Sequence, residues 1–203
     1  TSDFATEEKK ISYCIGIDLA AKISRLPLRL DLESFLDAFI TIAEGREPKI
    51  KQEDFQKTMQ AFQQKLEQEA GQAGSDNADA GDAYRAKNAA RSGVVTTASG
   101  LQVEILEPGQ GDCPKADSIV RVHYAGTLID GMEFDSSYRR GEPAEFPLDR
   151  VIPGWTEGLQ HLRVGGKARL VIPPELAYGQ QGAGPDIGPN ATLVFQVELL
   201  AIL

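Results

Sequence analysis

The chain has 203 residues, 41% of them hydrophobic and 25% charged, which is enough to bury a real core in one large domain or two small ones. A formal net charge of -9 at pH 7 argues against a phosphate-backbone partner, because nucleic-acid binding rests on clustered Lys and Arg that release counterions. No stretch approaches the run of about 18 apolar residues that a membrane span needs, and no charged-then-apolar leader opens the chain.

Helical spacing comes first. Ile11, Ile15, Leu19 and Ile23 recur every four residues and predict a first helix that Pro27 limits. Leu32, Phe35, Leu36, Phe39, Ile40 and Ala43 follow the i, i+3, i+4, i+7 pattern of one buried face, and Gly45 with Pro48 supplies a stop. Phe55, Met59, Phe62 and Leu66 start a third helix. Three short amphipathic helices make a small core, and such units often complete it with a partner. Residues 1–68 are therefore expected to form an all-α domain that dimerises.

From Glu69 to Arg91 the chain turns to Ala, Gly, Asp, Asn, Gln and Lys, with Tyr84 as its one large apolar residue. Residues 69–92 read as a linker or helical arm. Gly71, Gly74 and Gly81 each cost an exposed helix roughly 1 kcal/mol relative to Ala, which argues against a continuous rod through 70–82.

After Gly93 the period switches to two. Leu101, Val103 and Ile105 alternate with polar neighbours, as do Val120, Val122 and Tyr124, then Ala168, Leu170 and Ile172, then Leu193, Phe195, Val197 and Leu199. These are half-buried antiparallel strands. One helical patch, Trp155, Leu159 and Leu162, is short enough to lie across a single sheet. Residues 93–203 thus predict an α+β domain, an antiparallel sheet wrapped around one short helix.

Within that domain the strings VRVHYAGTLIDGMEFDSSY (120–138), VIPGWTEGLQHLRVGGK (151–167), IPPELAYG (172–179) and ATLVFQVELL (191–200) stand in order. Together they resemble the FKBP-type peptidyl-prolyl cis/trans isomerases across essentially all of 93–203. In the N-terminal half, EEKKISYCIGIDLA and MQAFQQKL resemble the helical dimerisation domain of the two-domain bacterial members, the macrophage infectivity potentiator and FkpA type. The resemblance implies a homodimeric folding catalyst that acts on X-Pro bonds of unfolded or partly folded proteins, with chaperone activity and sensitivity to the macrolide inhibitor of the family. It implies no cofactor and no metal. It also points to the periplasm or cell envelope, with the cytoplasm as the alternative; a chain opening on Thr1 leaves room for a removed leader.

Such chemistry has modest requirements. The X-Pro amide rotates over a barrier of about 18–20 kcal/mol because resonance is lost in the twisted state. A catalyst needs an apolar pocket that grips the prolyl ring, excludes water and holds the carbonyl twisted. No proton donor is obligatory. By resemblance Trp155 forms the pocket floor, with Tyr124, Phe134, Val151, Ile152 and Phe195 as walls and Ile187 as a further wall residue. Tyr178 would hydrogen-bond the substrate carbonyl, the Ile152 N–H would make a second contact, and Asp135 would sit at the rim with Arg140 and the Tyr124 hydroxyl. Tyr124, Asp135 and Tyr178 are the residues expected to carry catalysis.

The sequence departs from the family pattern in the loop QQGAGPDIGPNATLVF, where Asp186 and Gly188-Pro189 replace an expected hydrophobe and Pro-Pro, and at Ala144, which stands where well-known members have an aromatic. The loop keeps a second reading open, a proline-binding chaperone module with little turnover. A hydrolase is disfavoured, since no Ser, Cys or Thr is placed with His and a carboxylate as a nucleophile's triad. His123 and His161 read as structural or surface residues. Cys14 and Cys113 have neither disulfide nor metal-ligand spacing and read as unpaired thiols with packing roles. The VGGK and GQQGAG glycines lack phosphate-loop spacing and are turns.

Overall fold

A computed structural model of the chain describes residues 6–24 and 29–203, which divide between Phe62 and Gln63 into two compact units. The first holds α1 (Glu7–Ile23), α2 (Leu32–Ala43) and the start of α3 (Gln52–Ala89). Helix α1 begins where the Thr6 side chain accepts from the Lys9 N–H, with Glu7 and Glu8 complementing the positive helix end. Asp31 caps α2 in the same way through Ser34, and Gly45 ends it with a left-handed φ of 71°. The limit expected of Pro27 lies outside the described residues.

The single chain leaves the core of this unit incomplete. The apolar face of α2 is not buried by its own chain: Leu32, Leu36, Phe39 and Ile40 are 66%, 53%, 54% and 47% exposed. Three helices offer too little surface to cover them. Instead Leu19, Ile23, Leu32, Phe35, Leu36 and Phe39 line an apolar groove of about 490 Å³ between α1 and α2.

Helix α3 is continuous over 38 residues, contrary to the interruption expected at its glycines. Gly74 and Gly81 are buried against residues 189–192, where a Cβ would overlap Thr192 at Gly81 and crowd Pro189 and Asn190 at Gly74, so tertiary packing offsets the intrinsic cost of about 1 kcal/mol each.

The second unit carries an antiparallel sheet of β1 (Val94–Thr96), β2 (Gln102–Glu107), β3 (Ile119–Leu128), β4 (Glu133–Ser136), β5 (Ala144–Pro147), β6 (Lys167–Ile172) and β7 (Leu193–Ile202). Its order is β1-β2-β6-β7-β3-β4, with β5 paired to β3. Two short helices accompany it, α4 (Ser137–Arg140) and α5 (Pro153–Leu159). Alternation buries Val120, Val122 and Tyr124 on β3, Ala168, Leu170 and Ile172 on β6, and Leu193, Phe195, Val197 and Leu199 on β7. Ile105 departs from the pattern and lies exposed, because the β2–β6 register shifts between Ile105 and Glu107.

Helix α5 starts with Pro153, whose missing N–H costs nothing at that position, and buries Trp155 and Leu159, while Leu162 is buried in the turn that follows. It lies close on β6: a Cβ at Gly158 would stand 2.7 Å from Leu170 Cδ1. This approach brings Trp155 into the concave face of the sheet.

Candidate functional site

A cavity of about 570 Å³ opens on that concave face, within the size range of small-ligand pockets. Trp155 forms its inner side. Its indole meets three rings edge-to-face: Tyr124 of β3 at 5.1 Å, Phe195 of β7 at 5.3 Å and Phe146 of β5 at 5.5 Å between centroids. Phe134 of β4 packs edge-on to Phe195 at 5.5 Å. Gly126, opposite Phe195 in the β3–β7 ladder, permits this, since a Cβ there would come within 2.6 Å of the Phe195 ring and 2.7 Å of Phe134. Arg150, Val151 and Ile152 line the cavity from the turn before α5, and Tyr178 and Ile187 from the β6–β7 connection.

The rim is polar and cross-linked. The Tyr124 hydroxyl donates to Asp135 Oδ2, Arg140 Nη1 donates to Asp135 Oδ1, and Arg140 Nη2 donates to the Tyr124 oxygen at 2.8 Å. Local structure explains why these groups meet. Buried Ser137, the first residue of α4, accepts from the Tyr124 N–H at 2.8 Å and donates to the Tyr124 carbonyl at 3.2 Å, locking β3 to the end of β4. Ser136 caps α4 by accepting from the Arg139 N–H, and the single turn then swings Arg140 back to Asp135.

Burial is the largest single influence on the Asp135 carboxyl and pushes its pKa up, but the Tyr124 hydroxyl and Arg140 together outweigh it and hold the group below the usual carboxylate value. Burial first, then the carboxylate partner, raise the Tyr124 phenol, so it stays protonated at neutral pH. Because the folded Asp135 pKa lies below its unfolded value, the network stabilises the fold above the unfolded value and is lost as pH falls through the folded one. Activity on an X-Pro peptide should accordingly be flat through neutral pH and fall only below the ordinary carboxylate range. A pH–rate profile of the wild type beside Asp135→Asn checks this, the variant being slower at neutrality and lacking the acid limb.

The buried Trp155 Nε1 has no hydrogen-bond partner among the described residues, and two donors nearer the cavity mouth are unengaged as well. Among the described residues the Tyr178 hydroxyl, half-exposed at the mouth, makes no hydrogen bond, and the Ile152 backbone N–H has no partner. Both are free to meet a carbonyl oxygen.

Of the residues expected from sequence, Tyr124, Phe134, Asp135, Val151, Ile152, Trp155, Tyr178, Ile187 and Phe195 line one cavity. Arg140 does not line it; it reaches the cavity through Asp135 and Tyr124. Sequence reasoning missed Phe146 and Arg150. The aromatic of a short alternating segment, Ala144–Pro147, and the residue just before the VIPGW string were the available signals. His123 holds Ser137 Oγ at 3.0 Å and stacks on Tyr138, a structural role. Cys14 and Cys113 are free but exposed, which corrects the packing role expected of them. Among the described residues no group of three or more His, Cys, Asp or Glu is placed to hold a metal ion, and no helix is long and apolar enough to cross a membrane.

Comparison with known proteins agrees with this geometry. Residues 111–200 match the family model for FKBP-type peptidyl-prolyl cis-trans isomerase, and residues 8–105 match the model for the domain amino terminal to it. A probable FKBP-type peptidyl-prolyl cis-trans isomerase FkpA of Neisseria meningitidis serogroup B is 46% identical over 203 residues, spanning 96% of this chain and 74% of that protein. The FKBP-type 22 kDa peptidyl-prolyl cis-trans isomerase of Escherichia coli is 44% identical over 204 residues, spanning 100% and 99%. The crystal structure of FkpA from Escherichia coli superposes with a TM-score of 0.69 at 40% identity, covering 98% of each chain.

Proposed function

The chain belongs to the family of FKBP-type peptidyl-prolyl cis-trans isomerases, and from that premise we propose how its cavity turns the X-Pro bond and what each unit does for a client. The prolyl ring rests on Trp155, with Phe134, Phe146, Val151 and Phe195 closing around it and water displaced. With the amide removed from water, its resonance is easier to break, because the polar planar form loses the solvation that favours it. The Ile152 N–H and the Tyr178 hydroxyl hold the flanking carbonyl oxygens. Asp135, kept ionised and fixed by Arg140, sets the Tyr124 ring and supplies negative charge at the rim. No bond is cut and no proton is transferred; the site acts by fitting the twisted amide better than either planar one.

The observation that carries this reading is the aromatic cavity with two unengaged donors at its mouth. Tyr178→Phe keeps the ring and removes one donor, so kcat/KM for a short X-Pro peptide should fall roughly fivefold with the melting temperature unchanged. The macrolide inhibitor of the family should abolish the remaining acceleration. Unchanged rates in Tyr178→Phe and in Asp135→Asn would show these roles to be misassigned; no acceleration by the folded wild type would favour the binding-module reading.

Beyond the cavity, residues 1–68 form the dimerisation domain, 69–92 the arm and 93–203 the catalytic domain, in a homodimer that holds unfolded or partly folded clients at two X-Pro sites. The open apolar groove of the first unit supports that assembly. The place of action is the periplasm or cell envelope, the cytoplasm being the alternative, and fractionation of cells producing the full gene product decides between them.

A further inference from the structure

The β6–β7 connection runs from Pro173 to Thr192 with only two short turns of 3-10 helix, yet it contributes Tyr178 and Ile187 to the cavity. Loops of this length need external support to hold a functional shape. Some is internal: Ala183 and Ile187 exchange backbone hydrogen bonds of 2.8 and 3.2 Å, and the Asn190 N–H donates to the Gly179 carbonyl at 2.8 Å, beside Tyr178. The rest comes from α3. Asn77 Nδ2 donates to the Pro189 carbonyl at 2.9 Å, and Asn190 Nδ2 donates to the Gly74 carbonyl at 3.2 Å. One turn further on, a Cβ at Gly81 would overlap the Thr192 hydroxyl, which accepts from Arg85.

Gly74, Asn77, Gly81, Arg85 and Asn88 recur at intervals of three and four and so form one stripe along the helix. The far end of the stripe is fixed to the sheet, since Asn88 Nδ2 donates to Gln102 Oε1 at 2.7 Å and Gln102 Nε2 donates to the Arg85 carbonyl at 2.8 Å. Asn190 is the only non-glycine with a positive φ among the described residues, 53°, a conformation that persists where surrounding contacts enforce it. Its side chain and its N–H are both spent on that task.

We propose that α3 braces the β6–β7 connection, and that Asn77 and Asn190 are positioning residues that set Ile187 and Tyr178 at the cavity mouth and thereby tune which residue is accepted before the proline. The inference rests on reading Ile187 as a pocket wall. It assigns a part in the isomerase reaction to a helix that lies outside the catalytic domain as the sequence delimits it.

The test uses the full chain as wild type, Asn77→Ala, Asn77→Asp, Ile187→Ala and the Asn77→Ala/Ile187→Ala double variant, each assayed on peptides that differ only in the residue before proline. Asn77→Asp keeps the shape and loses the donor, so both Asn77 variants should lower kcat/KM roughly three- to tenfold, mainly through KM and unequally across the peptides. In the Ile187→Ala background Asn77→Ala should add little, because the two act through the same wall. A slow Ile187→Ala chain beside wild-type-like Asn77 variants overturns the inference alone. An Asn77 effect that is equal for every peptide, or undiminished in the double variant, also overturns it. Unchanged rates for Ile187→Ala overturn the pocket reading and the inference with it.

Discussion

Trp155→Ala is expected to lower kcat/KM by at least about a hundredfold while leaving a folded, destabilised catalytic unit. The indole is 4% exposed and touches the rings of Tyr124, Phe146 and Phe195, so its removal takes away the cavity's inner side and the contacts that space its walls. Burying a Trp and then deleting it costs about 3–5 kcal/mol, within the 5–15 kcal/mol that ordinarily holds a domain together. The fall in rate has a separate origin, since a collapsed or water-filled cavity no longer distinguishes the twisted amide from the planar one. Trp155→Phe separates the two effects: it restores most of the core volume, so stability should recover further than activity does. Trp155 is the only tryptophan in the chain, which makes the experiment direct. Its fluorescence in the wild type should change on titration with a proline-bearing peptide or the macrolide, and thermal melts followed by circular dichroism give the stability of each variant. A Trp155→Ala chain that melts lower but turns over peptide at the wild-type rate would place the chemistry elsewhere.

The strands and the cavity were legible because they rest on period-two alternation and on strings in which aromatic and polar residues are fixed by neighbours close in sequence. Tyr124 and Asp135 sit within one such stretch and Arg140 two residues beyond its end, and the short turn of α4 brings them together locally. Phe146 was not legible in that way. Its part depends on β5 pairing with β3, Val120 opposite Phe146, across a connection whose register no local pattern specifies. The continuity of α3 was misread for a related reason: helix propensity counts Gly74 and Gly81 as weak points, whereas the fold uses their missing side chains to admit Pro189 and Thr192. Helical spacing also located the apolar face of α2, and the small size of the unit pointed to a partner, but neither specified which side chains stay open, because periodicity identifies the face to be covered and not what covers it.

That open face yields the other large effect. Leu36→Asp and Phe39→Asp are each expected to convert a dimer into a monomer, read by light scattering as a fall from twice the 22.0 kDa chain mass to a single copy. Both side chains are about half exposed in the isolated chain, so a carboxylate there costs little in the monomer; in a closed groove it would be desolvated without a partner, a cost of several kcal/mol. Turnover of a short peptide should then be unchanged per chain, since the cavity is built wholly from residues 124–195. Refolding of a proline-limited client should suffer instead. Two linked sites raise the effective concentration of the second by about a hundredfold or more without any new contact, and a monomer forfeits that. A wild-type chain that is monomeric well above micromolar concentration would remove the basis of this division of labour. Slower peptide turnover in the two variants would show that the groove acts on the catalytic unit itself, and equal refolding rates for monomer and dimer would leave dimerisation without a part in handling clients.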